Sequence, residues 1–173
     1  GKEFMDAAQM CMNLFKLLRK PALPVLHCGL MIRLYRRFAL EEGDVVDPAD
    51  TSSLTGLLIQ MAYGLGVNTD AETCHQLGTY EMYLQQWRKI WYLLYFLDLD
   101  EALDMGNTVL IDENSFNTKL PSIPLDEYGE FASFVTNPSL EIATVECMNT
   151  NFKMALTLPK TYKYVNNKKS KTK

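Results

Sequence analysis

The chain has 173 residues, 47% hydrophobic and 22% charged, and carries a net charge of −4 at pH 7. That is one domain's worth of ordinary globular composition, able to bury roughly 70% of its unfolded surface, which excludes a disordered chain or one that needs staples. Arg33, Arg36, Arg37 and Asp98 interrupt the longest apolar runs well short of the about 20 residues that a bilayer span requires, so no membrane segment is expected.

In chain order, Met5, Ala8, Met12 and Phe15 recur at spacings of three and four and predict a first helix over about Glu3 to Lys20, ended by Pro21 and Pro24. Leu26, Leu30, Leu34 and Phe38 predict a second, from about Leu23 to Glu41, with Arg33, Arg36 and Arg37 alongside. "DPADTSS" offers capping oxygens before a third stripe, Leu54, Leu57, Leu58, Met61 and Leu65, which stops at Gly64 and Gly66. The longest helix is predicted over about 79–104. Tyr83, Trp87, Ile90, Leu94 and Leu97 form one face, and Trp91, Tyr92, Tyr95 and Phe96 carry the apolar surface round to the other. A helix apolar on two faces must be covered on both, so this one belongs at the centre. "MGN" ends it at Gly106, and the stretch to Pro121 reads as loop rather than strand. Asn137 and Pro138 fit the cap and first position of a last helix striped by Ile142, Val145, Met148, Phe152 and Ala155. The expectation is an all-α bundle of about five helices over 1–157.

The remainder, 158–173, holds Lys160, Lys163, Lys168, Lys169, Lys171 and Lys173 with no acid and is expected to be a disordered basic tail. The body it leaves is acidic, which disfavours nucleic-acid binding by the fold itself. No apolar signal core opens the chain, and its start at Gly1 is expected of a cut-out fragment. Cys11, Cys28, Cys74 and Cys147 lie apart without a C-x-x-C pair and read as reduced thiols.

Chemistry-bearing groups are sparse. His27 and His75 have no second ligand at chelating spacing, since Cys74 beside His75 would point about 100° away on a helix, and no metal site is expected. The acidic run Asp98, Asp100, Glu101 and Asp104 offers the one enzymatic alternative, a magnesium-dependent helical enzyme using Asp98, Glu101 and Asp104. Such a site needs carboxylates from a second helix, which the sequence does not supply. Acids at a helix C-terminus also oppose the macrodipole, so partners are expected, with Arg33, Arg36 and Arg37 as candidates. A helical adaptor is a third reading.

"MAYGLGVNTD" from Met61 to Asp70, then Arg88, Lys89, Trp91, Tyr92 and Asp98, then Met105-Gly106-Asn107 with Ile111, and finally Leu120-Pro121 follow one another in a specific order. Over about 23–121 that order resembles the middle homology region of fungal zinc-binuclear-cluster transcription factors. There, a helix ending in L-G-L with a following Asp precedes a charged and Trp-rich helix, a G-R-P segment and a closing L-P. Here Tyr92 stands for the second Trp and Asn107-Thr108 for Arg-Pro, which removes a positive charge available to an acid such as Asp98. The resemblance implies a non-enzymatic, nuclear regulatory domain, with Gly64, Gly66, Arg88, Asp98, Gly106 and Pro121 as its structural motif. Zinc and DNA contact would belong to a separate segment of the parent, which is often a homodimer, and coactivators or corepressors would be the partners. A small apolar effector, if bound, is expected against Met61, Tyr83, Trp87, Trp91 and Tyr95.

Overall fold

The computed structural model describes residues 2–14, 20–38, 48–70, 72, 81–122 and 137–170. Among them are five helices and no strand: α1 (Lys2–Leu14), α2 (Leu23–Phe38), α3 (Pro48–Leu65), α4 (Glu81–Met105) and α5 (Pro138–Ser170). The all-α expectation holds, and no described helix is long and apolar enough to cross a membrane.

Helix α4 is the centre. Trp91, Leu94 and Leu97 are fully enclosed, and Ile90, Tyr92, Tyr95, Leu99 and Ala102 are buried around the remaining circumference. Leu26 and Leu30 of α2, Leu58, Ile59 and Ala62 of α3, and Phe152 and Ala155 of α5 share its core. The helices pack in chain order, α2 on α3, α3 on α4 and α4 on α5. The side that these helices leave is covered by the 106–122 connection. Phe116 of that segment sits 5.4 Å from the Trp91 ring, 6.1 Å from Tyr92 and 5.6 Å from Tyr95, while Tyr92 stacks on Phe152 at 5.2 Å. An irregular segment thus completes the core, with Ile111 and Pro121 fully buried and Val109, Phe116 and Leu120 packed against it.

Close approach of α2 to α3 depends on Gly29. A Cβ there would lie 2.5 Å from Leu58 Cδ2, and Leu58 is fully buried. At the end of α3 the backbone forms a Schellman turn. Gly66, at φ 75°, donates its N–H to the Tyr63 carbonyl, and Val67 donates to that of Ala62. Gly106, at φ 70°, ends α4 in the same left-handed conformation.

Helix α3 begins at Pro48, so Thr51, Ser52 and Ser53 lie inside its first turns, and Asp47, the residue of "DPADTSS" at the cap position, lies outside the described residues. Proline suits a first helical position, where its missing N–H would have no partner anyway. Helix α5 starts as expected, with Asn137 accepting the Leu140 N–H on its side-chain oxygen at 3.2 Å, but it runs through Pro159 to Ser170 instead of ending near residue 157. Proline removes one intrahelical hydrogen bond, and the ring of Pro159 is buried, which offsets that loss. Of the α1 stripe, Met12 is buried and Met5 half-buried, while Ala8 is exposed.

Candidate functional site

Part of the motif, Asp70, Arg88 and the segment before Pro121, comes together where the loop after α3 meets the N-terminal half of α4. Arg88, buried on α4, donates from Nε to Asp70 Oδ2 at 2.9 Å and from Nη2 to Asp70 Oδ1 at 3.0 Å. The same Nη2 reaches Glu72 Oε1 at 2.6 Å, and Lys119 pairs with Glu72 on the outer side. Asp70 also accepts the backbone N–H of Lys119 at 2.8 Å and that of Glu72 at 3.2 Å. Burial works to raise the Asp70 pKa, but Arg88 and the two N–H groups outweigh it and hold the carboxyl below its ordinary range.

Around this pair, two loops are sewn together over α4. Trp87 donates its indole N–H to the Thr69 carbonyl at 3.0 Å, and the Asp70 N–H donates to Asn117 Oδ1 at 2.9 Å. The Thr118 hydroxyl donates to the Val67 carbonyl at 2.9 Å, and the Tyr92 hydroxyl to the Thr118 carbonyl at 3.0 Å. Pro121 is fully buried, and its carbonyl accepts from Asn149 of α5 at 2.7 Å. Each of these bonds ends on a backbone N–H or carbonyl of the loops, groups that cost stability when buried without a partner.

Towards the other end of α4, Asp98 does a similar task with no cation among the described residues. Its carboxylate accepts the Leu110 N–H at 2.9 Å and the Ile111 N–H at 2.8 Å. Burial raises its pKa, and the two N–H groups offset only part of that rise. The arginines of α2 pair with its neighbours instead. Arg33 donates to Thr55 Oγ1 at 2.8 Å and to Glu101 Oε2 at 3.3 Å, and Glu101 also accepts from Ser52. Arg37 reaches Asp100 and Asp104, each at 2.8 Å, while Arg36 turns to Gln9 at 3.3 Å. The expected partnership between α2 and the acids is therefore present for Arg33 and Arg37 and absent for Arg36 and Asp98. Asp98, Glu101 and Asp104 face three different partners, which removes the convergence that magnesium coordination requires. No group of three His, Cys, Asp or Glu side chains is gathered for a metal among the described residues.

Of the expected effector-wall residues, Met61, Trp87 and Trp91 are enclosed in the core. Tyr95 lines a cavity of about 360 Å³ between α4, the 107–113 loop and Pro159. The Tyr83 side chain, like Cys74 and His75, lies outside the described residues. Gly64 sits exposed in the last turn of α3 with open space around it. Cys11, Cys28 and Cys147 are free and exposed. Sequence reasoning gave no role to Asp70, Asn117 or Thr118. Asp70 closes the L-G-L motif and was legible as its last residue, whereas Asn117 and Thr118 carry no local signal.

Among the described residues, the buried carboxylates Asp70 and Asp98 are both spent on fixing the loops that pack on α4. In sequence, the chain is 34% identical over 123 residues, 71% of its length, to multidrug resistance regulator 1 of Candida albicans. It spans about a tenth of that relative, 11% of its length, and is thus similar to one segment of a fungal regulatory protein. No family model and no solved structure matches the chain.

Proposed function

We propose that this chain is a middle homology region, the regulatory domain of a nuclear fungal zinc-cluster transcription factor, which sets transcriptional output in response to a small apolar effector. The observation that carries the reading is the interlock of Asp70, Arg88 and the 117–119 backbone. Three of the spaced motifs that resemble that family, the segment ending at Asp70, the Arg88 helix and the segment before Leu120-Pro121, meet there, and the similarity to a fungal regulator supports the reading. The domain does not bind DNA by itself, since its body is acidic; contact with DNA belongs to a zinc-bearing segment of the parent. Coactivators or corepressors are the protein partners.

The test has two parts. The parent's coding sequence should contain a segment with six cysteines at zinc-cluster spacing. In a reporter assay, Arg88→Met in the parent should change output at least fivefold while promoter occupancy by chromatin precipitation stays constant. A complete parent without the cysteine segment, or unchanged output, would sink the proposal.

A further inference from the structure

The cavity beside Tyr95 is walled by Leu99, Ala102 and Leu103 of α4, Val109 and Leu110 of the following loop, and Pro159 of α5. At about 360 Å³ it falls within the roughly 300–1,000 Å³ of small-molecule sites. Its wall includes Leu103 and Leu110, exposed at 44% and 59%, while the buried Tyr95 hydroxyl has no hydrogen-bond partner among the described residues. A buried hydroxyl without a partner forfeits a hydrogen bond that a ligand can restore.

We propose that this cavity binds a neutral, mainly apolar molecule carrying one hydrogen-bond acceptor, which accepts a hydrogen bond from the Tyr95 hydroxyl. Burial, with Glu113, Asp98 and Asp112 nearby, pushes the Tyr95 pKa up to about 12, so the hydroxyl is a donor at neutral pH. The same carboxylates repel an anionic ligand. Asp98 fixes one wall by holding the Leu110 and Ile111 N–H groups, and Lys160 reaches across from α5 to Glu113 at 3.9 Å. A bound molecule therefore joins α4, the loop and α5, three separate parts of the chain. The binding site stands on this geometry; its role as the effector site rests on the regulatory reading above.

Nile red, a neutral fluorophore with one ring carbonyl, is the probe. Titrated into the chain, it should show saturable emission enhancement at one molecule per chain. Tyr95→Phe should weaken binding about fivefold, and Ala102→Phe, which fills the cavity, at least tenfold. Leu103→Asp places a charge on an already exposed wall position and should also weaken it tenfold, which covers the case in which Ala102→Phe does not fold by circular dichroism. Met31→Ser, in the separate apolar groove between α1 and α2, should leave binding unchanged. No saturable binding, or binding that Met31→Ser weakens and the cavity variants do not, would overturn the site. That failure leaves the regulatory domain standing, since the cysteine segment and the Arg88→Met reporter judge it separately. Conversely, binding as expected in a parent lacking the cysteine segment keeps the site and removes the effector role.

Discussion

Asp70 and Asp98 are two buried aspartates that accept backbone N–H groups from the same 106–122 connection, one beside the N-terminal half of α4 and one towards its C-terminal end. Asp70 faces the buried guanidinium of Arg88 and is held below the ordinary carboxylate pKa; Asp98 has no cation among the described residues and is pushed above it. Hydrogen bonds from the backbone are common to both; the arginine lowers Asp70, while burial and the nearby Glu101 raise Asp98. Where the resembled pattern has Arg-Pro after glycine, this chain has Asn107-Thr108, and Asp98 secures its loop with N–H groups alone.

The largest effect that breaks this comparison is at Arg88. Arg88→Met leaves Asp70 charged and buried without its partner and should cost about 3–5 kcal/mol in urea unfolding. Trp91→Ala, which removes a fully buried ring between Arg88 and Asp98 on α4, should also cost about 3–5 kcal/mol; a loss below about 1 kcal/mol would deny α4 its central place. Gly29→Ala sets a gain in helix propensity against a Cβ driven into Leu58, which is enclosed and has little room to yield. The expected outcome is a net loss of about 1–3 kcal/mol.

The comparison sharpens with pH. The Asp70 pKa is lowered on folding, so its stabilisation is present above the ordinary value near 3.8 and is lost as pH falls through the depressed folded value. The Asp98 pKa is raised, so the folded state favours its protonated form, and that favour is lost as pH rises from near 3.8 through the elevated folded value. Measured from about pH 2 to 7, the penalty for Asp70→Asn should therefore grow with pH, chiefly below the ordinary value, and that for Asp98→Asn should shrink, chiefly above it. Parallel slopes would refute the contrast. The smallest effect belongs to Arg37, whose pairs with Asp100 and Asp104 are partly exposed; Arg37→Ala should cost less than about 1 kcal/mol, and added salt should reduce that cost.

Much of this was legible in the residues. The two-sided apolar run from Trp87 to Leu97 requires cover on both sides, and α4 has it. Gly66 and Gly106 end helices where the sequence has them end. Asn137 and Pro138 open the last helix because capping is chemistry within one turn of chain. Less legible were the ends governed by competition. Pro159 signals a stop, yet burial of its ring and the helix-forming lysines beyond it carry α5 to Ser170.

Sequence by itself determined the helices, their turns and the central position of α4, because period, caps and glycine conformations act over a few residues. Only the tertiary structure decided which charges meet. Arg33 and Arg37 took Glu101, Asp100 and Asp104 while Asp98 turned to the loop, and the choice depended on where α2 crosses α4. The cavity at Tyr95 likewise exists only because α5 passes a loop some fifty residues earlier in the chain, a juxtaposition that no local pattern encodes.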